Sequence, residues 1–516
     1  MSVLILNAGT ASPIAPPTQQ ASQGAPIYIG TKSQSFAGQE RSSVRGIRRT
    51  WQVVTSQLTD AERASIESIT SRGQQIPCSG DLLGGIQTQC SVEVTNVSGV
   101  QGLAFWILSL TLTEVTGSVV QLRLAAGETV TGESVTRSTV ANQTDANGQL
   151  ISKAINAKRD GHFRNGTRTI LLEGARNNTW SNPEDLSNAV WTKTRATITA
   201  NATAAPDAAV TGDKLVEDSS VTTDHNVGRS WSASTASTLQ AWSYFAKAAE
   251  RTWHRVRSFD RNGVVGNTYV DLVNAVLGAI SGAAQTLRIT NVLGTWRRIE
   301  TTFDSASGAS NPKFEVGLAT GNNGAIYTGD GASGSYAWGF QCEIDAPFSS
   351  SYTTGARGAD FYSLPYTAPP GEITAYFKFF ERGTILTPGA RVFEIASAVD
   401  ADPRFLVFVS GGFYTVLHGN GVGTVTSGVV VAPAIGDTVE ILARLFGDGS
   451  VDISQTINGA GPTSGGQTGA NALKDAWSGQ LLWLNSAGTV GSVGFVELQS
   501  FRIVAGVRSL SEMRAA

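Results

Sequence analysis

The chain is poor in charge, in cysteine and in histidine. Charged residues make up 15% of its 516 positions, and 38 Lys and Arg against 41 Asp and Glu leave a formal net charge of −3. Nothing in this balance builds the one-signed field that holds DNA, RNA or an anionic membrane surface, so nucleic acid is excluded as a partner. Three cysteines, Cys78, Cys90 and Cys342, are too few for a disulfide framework, and none stands in a C-x-x-C metal spacing. Cys78 and Cys90 fall in one unit, where a disulfide and two half-buried thiols are both open readings. The four histidines, His162, His225, His254 and His418, lack the i, i+4 spacing of a helical metal pair and read as surface or sheet residues. No apolar run reaches the length of a membrane span, and the start MSVLILNAGT has neither a basic n-region nor an h-region. Neither membrane insertion nor a secretion signal is expected.

Catalytic signatures are missing as well. There is no G-x-S-x-G elbow, no H-E-x-x-H and no G-x-x-x-x-G-K. Gly329-Asp-Gly-Ala-Ser-Gly334 matches G-x-G-x-x-G formally, but no parallel βαβ unit surrounds it and a glycine-rich hairpin before Tyr336 accounts for it. A glycan-cleaving enzyme needs two carboxylates at a set separation, one with a raised pKa. Asp330, Glu343, Glu381, Glu394 and Asp448 are available, yet among 41 acidic residues most read as solvated turn positions. No short fixed period marks the β-helix of many depolymerases. The expectation is therefore a protein that is not an enzyme and needs no cofactor; a structural Ca²⁺ at an Asp- and Gly-rich loop such as Gly447-Asp-Gly449 is left open, with no ligand spacing that assigns a metal.

What is present is length, glycine and alternation. A chain of this length divides into roughly three or four units, and 57 glycines with 41% hydrophobic residues favour turn-rich β structure. Residues 1–27, with Pro13, Pro16, Pro17 and Pro26, read as an extended arm. Residues 28–118 read as a unit of strands and one helix: TWQVVTS (Thr50 to Ser56) is strand-like, Thr59 and Glu62 form a capping box, Ile66 and Ile69 share a helix face, and Gly73 suits a C-terminal cap. In AFWILSLTLTEV (Ala104 to Val115), Trp106, Leu108, Leu110 and Leu112 alternate with smaller or polar residues. Residues 119–175 read as a connector with short strands ending in TILLEGAR. Residues 176–357 and 358–516 each carry alternating segments at sandwich spacing, separated by TTGARGAD and by Pro365, Pro369 and Pro370. In SYAWGFQCEI, Tyr336, Trp338, Phe340, Cys342 and Ile344 fall on one predicted core face. The predicted fold is mostly β: an N-terminal α+β domain followed by two antiparallel β-sandwich (jelly-roll) domains.

Sugar binding without catalysis asks for aromatic faces that stack on a pyranose, flanked by Arg, Asn, Asp or Gln. Trp242, Trp253 and Trp296 in the second unit, with Tyr414, Trp477 and Trp483 in the third, are the candidates, each weighed against a core role. Trp253 follows the charged turn Ala249-Glu250-Arg251-Thr252, and Trp477 follows Lys474-Asp475-Ala476, which sets both at a rim. Arg41, Arg45, Arg48 and Arg49 form the single basic run and read as salt-bridging to a neighbouring subunit.

Three resemblances follow from quoted blocks. LLEGARNN, EDLSNAVWTK, APDAAVTGDKLVED, YFAKAAERTW and YTGDGASGSYAWGFQCE occur in an order that resembles a carbohydrate-binding-module-like domain of tailed-phage virion proteins. Phe501, Arg502 and Ile503, followed by Leu510-Ser511-x-Met513, are similar to the end of laminin-G and concanavalin-A-like jelly rolls, although Glu512 stands before Met513. TWQVVTSQLTDAERASIESI with SLTLTEV resembles the tail-hub domain of siphophage minor or distal tail proteins. These resemblances imply a bacteriophage tail protein of the distal tail or baseplate: a homo-oligomeric ring, hexamer or trimer, contacting the tail tube and hub. Such a protein is assembled in the host cytoplasm, resides in the virion, and displays lectin-like modules to a host surface glycan for adsorption. A tail-associated glycan depolymerase and a purely architectural or capsid-decorating protein are the competing readings.

Overall fold

A computed structural model describes strand segments and one helix within residues 1–121 and, from residue 122, the chain apart from 131, 232–235, 283–284, 367–371, 397–403, 421–422, 447, 467–480, 485–493, 506–509 and 516. Every described strand pairing is antiparallel, as the glycine-rich alternation predicts. No described helix is long and apolar enough to cross a membrane.

The N-terminal region forms a six-stranded sheet in the order Ile5–Leu6, Gln75–Ser79, Thr88–Gly99, Trp106–Glu114, Thr50–Thr55, Thr18–Gln23. The proline-rich residues 1–27, expected as an extended arm, contribute its first and last strands. Helix Asp60–Thr70 starts at the predicted capping box, with Thr59 N–H donating to Glu62 Oε2 at 2.8 Å and Glu62 N–H donating to Thr59 Oγ1 at 3.3 Å. Ile66 and Leu110 are buried. Gly73 and the side chains of Cys78, Cys90 and the basic run lie outside the described residues.

The central unit is a sandwich of two six-stranded sheets. One runs Thr192–Thr194, Asn226–Ser230, Lys313–Ala319, Trp253–Phe259, Val265–Asp271, Val276–Gly282; the other runs Ala196–Thr203, Gly212–Glu217, Gly334–Ile344, Leu239–Lys247, Trp296–Asp304, Thr286–Asn291. Trp180, Trp191, Trp242, Tyr244, Phe314 and Phe340 fill the space between them. Two packed inner faces need large side chains to span the gap of about 10 Å, which is why tryptophan is spent here.

The predicted single core face of SYAWGFQCEI does not hold along its length. Gly339 adopts φ +64, and the pairing with Leu239–Lys247 shifts register between Ser243 and Phe245. A bulge inserts one residue and reverses which side chains point inward. Phe340 and Cys342 therefore face the main core, whereas Trp338, with Tyr336 against it, packs on the opposite face with Phe245 and Tyr352.

The C-terminal unit is a second sandwich. Its first sheet runs Ser134–Thr136, Phe361–Pro365, Leu481–Leu484, Arg391–Ala396, Arg404–Ser410, Phe413–Gly419, Thr424–Gly428. The second runs His162–Arg164, Thr167–Leu172, Val496–Ala505, Ile373–Glu381, Thr438–Leu445, Val451–Ile457, Thr463–Ser464, with Leu122–Ala125 also on Val496–Ala505. Residues 119–175, read from sequence as a connector, thus place strands in both sheets of this sandwich. Ile170 and Leu172 enter its core beside Phe377, Phe393 and Phe501.

Candidate functional site

Packed clusters claim three of the six predicted sugar-stacking aromatics. Trp242 is 0% exposed, with its ring 4.5 Å from Phe303 and 5.0 Å from Phe314. Trp296 is buried and its Nε1–H donates to the Ala204 carbonyl at 3.1 Å. Tyr414 is buried and its hydroxyl donates to Glu381. None of these three rings has a face open to a sugar, because alternation turned each toward a core or a packed cluster. Trp483 is partly buried, and Trp477 lies outside the described residues. Trp253 combines partial exposure with a set of charged neighbours on the same outer face.

Strand Trp253–Phe259 explains why. His254, Val256 and Ser258 point inward and are buried, which turns Trp253, Arg255, Arg257 and Phe259 to the outer face of the sheet. Across the ladders Trp253 sits beside Asp271 and Ala319, Arg255 beside Tyr269 and Gly317, and Arg257 beside Asn267 and Glu315. Trp253 packs on Tyr269, Ala319 and Ala325, and part of the indole stays uncovered. Asp224 accepts from both Arg255 and Arg257, the latter at 2.7 Å, and Glu315 pairs with Arg257 and Lys313. Burial pushes the Asp224 carboxyl up, but its bond to Arg255 and the charges of both arginines outweigh burial and lower its pKa. The guanidiniums are therefore held in place along one side of an aromatic platform, an arrangement able to stack a sugar ring and hydrogen-bond its hydroxyls.

The carboxylates considered for catalysis are not gathered. Asp330 and Asp448 are exposed turn residues that accept from Ser333 and Ser450. Glu343, in the central unit, accepts from Ser350 and Gln341; Glu381, in the C-terminal unit, accepts from Tyr414 and the Gly383 and Ile385 N–H groups. Burial raises the pKa of both. Glu394 is buried against Arg391. All four histidines, expected at surface or sheet positions, are buried in or beside strands. Among the described residues no group of three or more His, Cys, Asp and Glu is placed to hold a metal ion.

A second polar centre, which composition and motifs did not reveal, lies where the two sandwiches meet. Arg159, fully buried, donates to Glu173 at 2.8 Å and to Asp360, and Asp360 also accepts from Arg137 at 2.8 Å. Glu173 accepts from Ser351 and pairs with Arg357 and Arg382. Glu497 joins Arg382, Arg164 and His162 at 3.1, 3.3 and 3.2 Å. Thr144 N–H donates to His162 Nδ1, which leaves Nε2–H to face Glu497. The one sequence signal was a charge set inside an apolar run: Glu173 after Ile170-Leu-Leu172, and Glu497 between Val496 and Leu498.

This centre makes stability depend on acid. Burial pushes the Glu497 carboxyl up, but His162, Arg382 and Arg164 outweigh it and hold its pKa at about 2, below the ordinary 4.5. A carboxyl depressed on folding stabilises fully above its unfolded pKa and loses that contribution as pH falls through the folded one. The Glu497 contribution to the stability of the full chain should therefore be constant above about pH 5 and fall progressively between pH 4.5 and 2, read as the difference in denaturant midpoint between the full chain and its Glu497→Gln variant. A difference that stays constant through the acid range would remove Glu497 from the account.

No protein-family model and no curated protein matches the chain. Among solved structures, domains LG4-5 of the mouse laminin alpha1 chain align at 10% identity over 56% of this chain and 88% of that one, with a TM-score of 0.21. The LG1-3 region of the laminin alpha2 chain aligns at 12% identity over 57% and 66%, with a TM-score of 0.23. The N-terminal CBM22-1-CBM22-2 tandem domain of Paenibacillus barcinonensis Xyn10C aligns at 10% identity over 66% and 100%, with a TM-score of 0.22. At such scores no shared overall arrangement is defined; what places this chain among antiparallel β-sandwich proteins is its own paired sheets and their two cores.

Proposed function

We propose that this chain is a non-catalytic structural protein of a tailed-phage virion, located at the distal tail, whose two β-sandwich units present glycan-binding surfaces to the host. The observation that carries the sugar-binding part is the outer face around Trp253, where a partly open indole lies beside arginines anchored by Asp224. The ordered sequence blocks resembling virion carbohydrate-binding modules support the phage assignment, and the N-terminal sheet and helix are the elements that would assemble as a ring of three or six. In a ring, many weak sites act together, so avidity strengthens adsorption by orders of magnitude without tight single sites.

The depolymerase reading has less support. Glu343 and Glu381 carry the raised pKa of a general acid, but they sit in different sandwiches, each fixed by its own hydrogen bonds. The expected result on an array of bacterial surface glycans is binding by the full chain without product release, weakened at least tenfold (about 1.4 kcal/mol) by Trp253→Ala. Binding to no glycan, or full retention by that variant, would overturn the assignment of this surface. Imaging of labelled particles tests the location: a signal away from the tail tip counts against the distal-tail part.

A further inference from the structure

The central sandwich is an insertion in the C-terminal one. Strands Thr167–Leu172 and Phe361–Pro365, which flank it in sequence, both lie in the C-terminal sheets, and the chain leaves and returns through a neck of two antiparallel segments, Arg176–Asn177 and Ala356–Arg357. Charges at the junction act on this neck: Arg357 donates to the Gly174 carbonyl at 2.7 Å, and Glu173 accepts from the Ser351 N–H at 2.8 Å. So short a neck can serve as a hinge unless the inserted body is held at a second point. The hairpin of Ala141–Thr144 and Leu150–Lys153 holds it there, and it belongs to neither large sheet. Its base is fixed to the C-terminal unit, where Thr144 N–H donates to His162 Nδ1 and Arg159 donates to the Asn142 carbonyl at 2.9 Å.

The tip of the hairpin is built to seat on the central unit. Asp145 Oδ1 accepts from the Asn147 and Gln149 N–H groups, which closes the turn, and Gly148 takes φ +85. A Cβ on Gly148 would stand 2.8 Å from the Leu293 nitrogen and from the Val292 carbonyl carbon. Glycine is therefore needed for the close approach that lets Leu293 N–H donate to the Gly148 carbonyl at 3.0 Å. Leu150 N–H donates to the Pro206 carbonyl at 2.9 Å, and the Leu150 side chain enters a cluster of Phe245, Trp296, Trp338 and Tyr352. Trp338 lies ~13 Å along its strand from Cys342, whose carbonyl accepts from Thr179 N–H near the foot of the neck. The hairpin thus grips the inserted unit away from its neck. The grip is light, because two strands outside a larger sheet are marginal by themselves. A cavity of 90 Å³ is lined by Asn142 and Leu150 of the hairpin and by Phe245, Val292 and Tyr352 beneath it; such a void forfeits dispersion contacts that would hold the hairpin down.

We infer that the hairpin over residues 141–153 is a clasp: closed, it fixes the angle between the two sandwiches, and released, it frees the central unit to turn on its neck. No ligand takes part, so the device stands or falls apart from the Trp253 surface. Hydrogen exchange read by mass spectrometry and small-angle X-ray scattering, both on the full chain, test it. In the unaltered chain, peptides carrying the Leu150 and Leu293 amides should exchange together, roughly tenfold or more faster than the core strands Leu239–Lys247 and Ile373–Glu381, because the clasp opens while both cores stay folded. Gly148→Val, and separately Leu150→Ser, should speed that exchange by about a further tenfold, lengthen the maximum dimension seen by scattering, and leave both core strands unchanged. The inference is overturned if the hairpin amides exchange only together with the cores, or if neither variant speeds their exchange. It is equally overturned if the variants loosen the hairpin without changing the scattering profile, since the neck would then hold the angle alone, or if both variants unfold the sandwiches, since the hairpin would then be part of a core.

Discussion

Replacing Arg159 with methionine should lower the stability of the full chain by about 3–5 kcal/mol, the cost of leaving a buried charge without its partner. Arg159 is fully buried, and the two carboxylates it donates to, Glu173 and Asp360, are buried as well. Burial pushes the Glu173 carboxyl up, but Arg357, Arg159 and Arg382 outweigh it and hold it well below the usual carboxylate range. With one guanidinium gone, that carboxylate stays charged against fewer partners. The hydrogen bond from the Glu173 N–H to Asp360 would remain, at 2.9 Å, and the carboxylate would keep Arg137 but lose Arg159. The double variant Arg159→Met with Asp360→Asn should recover part of the loss, because contacting residues do not add. Urea unfolding of the three proteins measures this; a loss below about 1 kcal/mol for Arg159→Met would show that Arg137 and Arg357 suffice without it.

The second large effect belongs to a residue that sequence alone offered as a ligand contact. Trp242→Ala should cost about 3–5 kcal/mol, the usual range for truncating a buried aromatic. Its indole touches Trp180, Phe303 and Phe314 in the middle of the central core, and no collapse of two paired sheets can refill that volume. Trp253→Ala, on the outer face of the same sandwich, should change stability far less while weakening glycan binding. Unfolding curves and array binding on both variants separate core from contact: if Trp242→Ala kept wild-type stability and lost binding, the roles assigned to the two tryptophans would be reversed.

These two residues mark where local pattern stops being informative. Period-two alternation is a property of the pleated backbone, so WHRVRSF and LQAWSYFAKA announce strands without reference to anything distant. The capping box at Thr59 and Glu62 is equally local, since both partners lie within one helical turn. Alternation says that Trp242 and Ala241 face opposite ways, not which of the two meets another sheet. Even the period fails at Gly339, where one glycine in a left-handed conformation reverses the faces of SYAWGFQCEI.

Composition, spacing and alternation were enough to establish a multi-unit, antiparallel β protein with little charge and without a recognisable catalytic motif. The burial of Trp242, Trp296 and Tyr414, the partial exposure of Trp253, and the entry of residues 119–175 into the C-terminal sheets were decided by folding alone. The reason is distance along the chain: Arg159 meets Asp360 across 201 residues and His162 meets Glu497 across 335, and no local rule relates charges so far apart. Charge scarcity, read at first as the lack of an electrostatic partner, has a second meaning in the fold. Several of the few charges are spent in buried pairs between the sandwiches, where low dielectric makes each of them count.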